Sequence, residues 1–261
     1  MKNCIEAVFT GRLGNNLYTL LKAYAFSGQN MNQISFYNKP DSFDEYKKTI
    51  FRNFSTTKIV NNSIYKVYES ELKELCKNKQ RISFYSNISV SIDCLKNFIE
   101  LISCPKDLSN KILEKYPDIK DYVSIHVRRG DYLKYASRFQ ILDEEYFSKA
   151  IDILEKTTNE KYKYLIFSDD LTWCKKHFKE KNISFFDEND PIFSLYAMSF
   201  CKHNIIANST YSQWGNNLNK NSNKVVVFPS RYNIENTKNN FSTINELKPI
   251  CANHYWTFKD N

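Results

Sequence analysis

The sequence predicts an α/β protein built on parallel sheets in two halves. Three observations predict it. Over residues 122–228, short apolar runs alternate with helical stretches joined by short connections, the pattern of parallel strands with helical crossovers. The same strand, loop and helix order opens the chain. The conspicuous polar residues collect at the ends of the predicted strands, where open α/β sheets bind ligands.

Residues 4–9 form a short, mostly apolar strand, and residues 10–15, Thr-Gly-Arg-Leu-Gly-Asn, break the pattern. Leu17, Leu20, Leu21 and Tyr24 follow at helical spacing. Residues 33–37 suit a second strand. The stretch 40–118 is rich in aromatics and lysine, with a helix expected at 69–77 and a break at Cys104-Pro105. Strands are then predicted at 122–127, 164–167, 183–186, 204–207 and 224–228. Helices lie between them at 143–156, capped by Asp143, at 171–179, at 192–201, and from Ser209 to about 218. No internal repeat interrupts this order. A boundary between Cys104 and Lys120 divides the chain into domains 1–115 and 116–261, with a cleft expected between them.

Composition narrows the class. The chain has 261 residues, 42% hydrophobic and 25% charged, which excludes wholesale disorder. No run approaches the ~18 apolar residues of a membrane span. The first residues lack the apolar core and small-residue cleavage site of a signal peptide. Seven cysteines, widely spaced and without a C-x-x-C, suit reduced buried thiols in a cytosolic protein rather than a disulfide framework or zinc site. The formal charge of +8 points to an anionic partner: nucleic acid, a membrane surface or a phosphate-bearing substrate.

Glycine is scarce: 5 residues, where ordinary usage gives about 18. Four of the five, Gly11, Gly14, Gly130 and Gly215, fall in the segments that carry chemistry, so we expect positive φ or close approach of backbone to a ligand there. The strongest segment is His126-Val127-Arg128-Arg129-Gly130-Asp131-Tyr132. An apolar strand delivers two adjacent guanidiniums, whose forks match phosphate oxygens and keep their charge. Two of them suit a diphosphate leaving group. Alternation along the strand puts His126 and Arg128 on the ligand face, opposite the apolar Val123, Ile125 and Val127. Arg129 is left to pair with Asp131 or to reach the second phosphate. Asp131 can hold an arginine or take a proton from an acceptor.

Asn208-Ser209-Thr210-Tyr211-Ser212 follows a strand and opens a helix. Its free N–H groups and the hydroxyls of Ser209, Thr210 and Ser212 suit a phosphate. Ser168-Asp169-Asp170 ends another strand; the aspartates can hold a divalent ion, cap the next helix, or bond a ribose or base. Gly11, Gly14 and Asn15 lie in a glycine loop that is neither a Walker A motif nor a full G-x-G-x-x-G.

Together the four segments resemble the bacterial α-1,2-fucosyltransferases of glycosyltransferase family 11, over residues 5–20 and 122–229. The quoted residues are Gly-Arg-Leu-Gly-Asn, His-Val-Arg-Arg-Gly-Asp-Tyr, Phe-Ser-Asp-Asp-x-x-Trp-Cys, and Met-Ser-x-Cys-Lys-His-Asn-Ile-Ile-Ala-Asn-Ser-Thr-x-Ser-x-Trp-Gly. The His-x-Arg-Arg-x-Asp segment is shared with α-1,6- and some protein O-fucosyltransferases; the Asn-Ser-Thr-Tyr-Ser stretch is what points to family 11. The resemblance implies a GT-B fold, GDP-fucose as donor, a galactose-terminated glycan as acceptor, inversion at the anomeric carbon, and no metal or other cofactor. It implies diphosphate contacts from Arg128 and Arg129, with the helix start at Ser209–Ser212 also on phosphate. His126 and Asp169 or Asp170 would lie near the nucleoside, and the 11–15 loop would close the cleft. Ser194 stands where the family pattern has aspartate, which leaves Ser194 or Asp190 for the purine contact. The expected location is the cytoplasm, with room for peripheral contact with the inner membrane. The sequence carries no signal for an oligomeric state.

The alternatives are a metal-dependent glycosyltransferase using Asp169 and Asp170, a fucosyltransferase of another linkage, and a non-catalytic glycan- or nucleotide-binding protein. A basic RNA-binding protein has only the net charge in its favour and no recognisable RNA module, so no nucleic-acid partner is expected.

Overall fold

The computed structural model describes residues 5–36, 43–54, 81–84, 86–229 and 248–251. The helix expected at 69–77 lies outside them. Contacts divide the chain into two compact units, with the break after Pro105.

In the first unit, β1 (Ile5–Val8) lies between β2 (Ile34–Phe36) and β3 (Arg81–Ser83), all parallel. Helix α1 (Leu13–Phe26) begins earlier than its leucine spacing suggested and is buried along most of its length. Aromatic rings fill the rest: Phe9 lies 5.2 Å from Phe36 and 5.7 Å from Phe51, and Phe36 meets Phe43 edge-on. Helix α2 (Phe43–Lys48) supplies Phe43 and Tyr46 to this cluster. Helix α3 (Ile92–Leu101) is capped by Ser91, whose hydroxyl accepts the Cys94 N–H, and buries Cys94, Leu95, Phe98 and Ile99.

The second unit begins with α4 (Lys106–Lys115). Its sheet runs in the order β6-β5-β4-β7-β8-β9. The strands are β4 (Tyr122–Val127), β5 (Lys163–Ser168), β6 (Ile183–Phe185), β7 (His203–Ile205), β8 (Val225–Phe228) and β9 (Lys248–Cys251). The first five are mutually parallel, as the alternation predicts; β9 is antiparallel to β8 and was not anticipated. The helices are α5 (Glu144–Thr158), α6 (Leu171–His177), α7 (Pro191–Phe200) and α8 (Thr210–Leu218). Asp143 caps α5 as expected, accepting the Tyr146 N–H. Val123, Ile125 and Val127 are fully buried in the apolar cluster on one side of β4.

The strand order places the site. Going outward from β4, the chain first adds β5 and β6 on one side, then crosses to add β7 and β8 on the other. The reversal falls between β4 and β7. Connections leave in opposite directions there, which opens a crevice at the carboxyl ends of these strands.

Among the described residues, no helix is long and apolar enough to cross a membrane. Cys94, Cys104, Cys174 and Cys201 are free thiols, and burial raises the pKa of each.

Candidate functional site

Two loops meet at the strand reversal, one leaving β4 and one leaving β7. The first carries the arginines. Arg128 extends both arms to carboxylates: Nη2 lies 2.5 Å from Asp131 Oδ1 and Nη1 lies 2.6 Å from Asp169 Oδ2. Its guanidinium sits 5.3 Å from the centre of the Tyr132 ring. The expected pairing of Arg129 with Asp131 is therefore corrected, because Arg128 takes that carboxylate. Arg129 turns the other way, 4.0 Å over the Trp173 ring, with Nε 3.3 Å from Asp170 Oδ2. Weakly hydrated, planar arginine suits such stacking.

Asp169 organises the turn. Its Oδ1 accepts the backbone N–H of Arg129 at 2.9 Å and of Gly130 at 3.2 Å, while Oδ2 holds Arg128. A side chain at position 130 would put Cβ 2.5 Å from Asp169 Oδ2, so any other residue here would have to push that carboxylate off its hydrogen bonds. Asp170 caps α6 through the Trp173 N–H at 3.1 Å. Ser168 Oγ accepts the Asp170 N–H. The carboxylates expected to face a nucleoside are thus held by arginines and backbone amides.

The second loop uses its polar groups differently. Ser212 Oγ donates to the carbonyls of Ala207 at 3.2 Å and Ser209 at 3.0 Å, and the residue is fully buried. That hydroxyl, expected to meet phosphate, closes its own turn. Ser209 is the N-cap of α8, yet its side chain makes no capping bond. Ser209, Thr210 and Asn208 are all buried. Asn208 joins the two loops. Its carbonyl accepts the Tyr132 hydroxyl at 2.8 Å, and its amide donates to the Gln140 carbonyl at 2.9 Å. Tyr132 is stacked on Phe139 at 4.2 Å. The short 3-10 turn Asp131–Tyr135 is pinned on both flanks.

His126 lies behind the arginines on β4, 5.5 Å from the Tyr211 ring, with Nδ1 buried and unpartnered. Burial first, and the Arg128 charge second, push its pKa down to about 3, so the ring is neutral at ordinary pH. Asp190 caps α7, accepting from Ile192 at 2.8 Å and Phe193 at 3.2 Å, and Ser194 Oγ donates to its carbonyl.

The glycine loop belongs to the first unit. Gly11 has φ +68°, and a Cβ there would lie 2.8 Å from Asn15 Nδ2. Asn16 Oδ1 accepts the Thr10 N–H, and Asn15's carbonyl accepts from Thr19 Oγ1. Gly14 is the second residue of α1 and buried. At position 11 the expected positive φ accounts for glycine, whereas at 130 the neighbouring Asp169 side chain does.

The structure brings the arginines, Asp131 and Asn208 together at the strand reversal, and beside them it places two residues to which the sequence assigned no role, Trp173 as a platform and Tyr132 as a strut. Both signals were present: an aromatic at the third position of a helix opened by Asp-Asp, and a tyrosine directly after Asp131. Among the described residues, no group of three or more histidines, cysteines or carboxylates is arranged to hold a metal ion.

The chain is 39% identical over 122 residues to the O-antigen biosynthesis glycosyltransferase WbnK of Escherichia coli, covering 44% of this chain and 40% of that one. It is 36% identical over 101 residues to an α-1,2-colitosyltransferase of Escherichia coli, covering 36% and 34%. The matches thus span well under half the length of these curated relatives. The fold superposes on the fucosyltransferase NodZ from Bradyrhizobium with TM-score 0.55 at 12% identity, over 97% of this chain and 100% of that chain. A crystal of NodZ α-1,6-fucosyltransferase soaked with GDP-fucose gives TM-score 0.54. The architecture is α/β and GT-B-like, each unit carrying a parallel sheet. The Glycosyl transferase family 11 profile matches residues 44–246, well over half of the sequence, and the chain belongs to that family.

Proposed function

We propose that the protein is an inverting glycosyltransferase that moves L-fucose from GDP-β-L-fucose to the 2-hydroxyl of a terminal galactose in a surface glycan. The observation that carries this reading is the adjacent guanidinium pair at the carboxyl end of β4, beside the strand reversal. In this reading the acceptor oxygen attacks the anomeric carbon opposite the diphosphate. The bond from that carbon to the phosphate oxygen breaks, and its electron pair leaves with GDP. Arg128 and Arg129 meet the charge that grows on the diphosphate. Backbone N–H groups at the start of α8 add a second positive end. Residues 116–261 carry the donor and residues 1–115 the acceptor side. Work takes place in the cytoplasm or at the inner face of its membrane.

No metal is needed in this mechanism. Two arginines and a helix start already supply positive charge, and Asp169 and Asp170 are engaged by protein donors. Turnover is therefore expected to persist in EDTA; abolition by chelation and restoration by Mn²⁺ or Mg²⁺ would favour the metal-dependent reading. The 36% identical α-1,2-colitosyltransferase supports a second reading, an activated colitose as the donor in place of GDP-fucose. The deciding experiment incubates the protein with each donor and a panel of galactose-terminated oligosaccharides. GDP release is followed, and NMR reads the product linkage. An α-1,2 fucoside is expected. Binding of GDP-fucose without release across the panel would support a non-catalytic protein instead.

A further inference from the structure

Resting on the donor assignment above, we propose that Trp173 is a positioning residue: with His177 behind it, the indole sets the plane of the Arg129 guanidinium and so aims that fork at the donor's diphosphate.

The two arginines of the β4 loop are held by different means. Arg128 is fixed by two carboxylates, one on each Nη. Arg129 meets a carboxylate through Nε, 3.3 Å from Asp170 Oδ2. One such contact fixes a point on the side chain but not the plane of the guanidinium. An arginine fork grips phosphate oxygens through two parallel N–H bonds, which lie in its own plane. Whatever fixes that plane therefore fixes the grip. The indole does so: a planar cation centred 4.0 Å over a flat ring is held against the ring's face.

The ring is itself braced. Val127 lies opposite Ser168, so residues 128–129 leave β4 beside residues 169–170 leaving β5. Asp170 divides its oxygens between two tasks. Oδ1 accepts the Trp173 N–H and caps α6, while Oδ2 takes Arg129, so helix and arginine share one frame. That cap uses a backbone N–H that any residue but proline supplies, so it does not call for an aromatic at 173. Trp173 packs against the apolar cluster of the second unit and meets buried Phe178 edge-on at 6.0 Å. One helical turn further on, the His177 ring stacks on the indole at 4.4 Å, 23° from parallel. Arg129 and His177 both lie too close to the ring to share a face, so the indole is clasped between them. His177 Nδ1 in turn meets the Glu144 carboxylate in the first turn of α5. Arg129, Trp173, His177 and Glu144 thus form a column from the arginine turn to a second helix.

A ring that only packs and a ring that acts through Arg129 differ in a double-mutant cycle. GDP is titrated calorimetrically into wild type, Trp173→Phe, Trp173→Leu, Arg129→Ala, and Arg129→Ala combined with Trp173→Leu. Leucine keeps apolar bulk and loses the flat face. Trp173→Leu is expected to bind GDP about tenfold more weakly, within the worth of a desolvated cation–π contact. Phenylalanine keeps a face, so Trp173→Phe should stay within about threefold of wild type. In the Arg129→Ala background the leucine should change affinity by less than about twofold. Equal losses in both backgrounds, or wild-type affinity in Trp173→Leu, overturn the proposal. Should Trp173→Leu fail a thermal melt, His177→Ala decides from the other face of the ring. A loss of about threefold that disappears in the Arg129→Ala background supports the proposal; no loss, or the same loss in both backgrounds, overturns it. A wild type that binds neither GDP nor GDP-fucose is a different result: it removes the donor assignment itself and the inference with it.

Discussion

The loops leaving β4 and β7 are both rich in polar residues, yet they use them in opposite ways. In the first, side chains hold one another: two arginines, three aspartates and two aromatic rings form one charged mesh around a glycine turn. In the second, side chains hold their own backbone, as Ser212 does with Ala207 and Ser209. The difference separates two ways of receiving an anion. The β4 loop offers charged forks whose aim depends on neighbours. In the β7 loop the Ser212 hydroxyl is turned back onto its own turn, and the start of α8 contributes its helix dipole.

The sharpest way to break this comparison is at Arg128. Lysine there keeps the charge and loses the two-armed fork. We expect Arg128→Lys to lose about 10²–10³ in kcat/KM for GDP-fucose, with little change in Tm. Arg129→Lys should lose less, because stacking on Trp173 is the main contact removed. A nearly active Arg128→Lys enzyme, or one whose loss tracks unfolding, would place the pair in a structural role. Gly130→Ala strikes the same mesh from the backbone. Its Cβ would collide with Asp169, so a loss of about 1–3 kcal/mol in urea unfolding is expected, together with weaker GDP binding.

His126 sharpens the comparison from between the loops. Its folded pKa, about 3, lies below its unfolded value near 6.5, so its share of stability is complete above pH 6.5 and falls as pH drops toward 3. By pH 5 the loss is on the order of 2 kcal/mol. Urea midpoints at pH 7.5 and pH 5 should differ less in His126→Phe than in wild type; equal shifts would remove His126 as the cause. The smallest effect belongs to the β7 loop. Ser212→Ala should destabilise by about 1 kcal/mol while leaving GDP affinity within twofold. A tenfold loss of GDP affinity would return Ser212 to the ligand.

Much of this was legible. The strands and helices from 122 to 228 lie within a few residues of where periodicity placed them, because each strand of a buried parallel sheet is a short apolar run between polar connections. Helix α4 was not legible: among Lys106–Lys115 only Ile112 is buried, so it has almost no apolar stripe to detect. Helix α3 did carry a stripe and a Ser91 cap, but its first residues resemble the strand-like text before it. The three-residue β3 offers too little pattern for any period to show. Within the site, residue types were readable and pairings were not. That Arg128 meets Asp169 follows from β4 lying beside β5 with Val127 opposite Ser168, a register no single sequence displays. Nor does a sequence show that Ser212 faces inward.

The reversal of strand order also governs how the site comes into being. Strand β4 gains β5 soon after synthesis, but its other edge waits for β7, which pairs it across a separation of about 80 residues. A growing chain released only through β6 carries both arginines on a strand with one open edge of unpaired amides. Contacts of such long sequence separation form slowly. The arginine turn is therefore among the last parts of its unit to acquire all its walls, and a ribosome stalled before residue 203 would present an unpaired strand edge to chaperones and to other nascent chains.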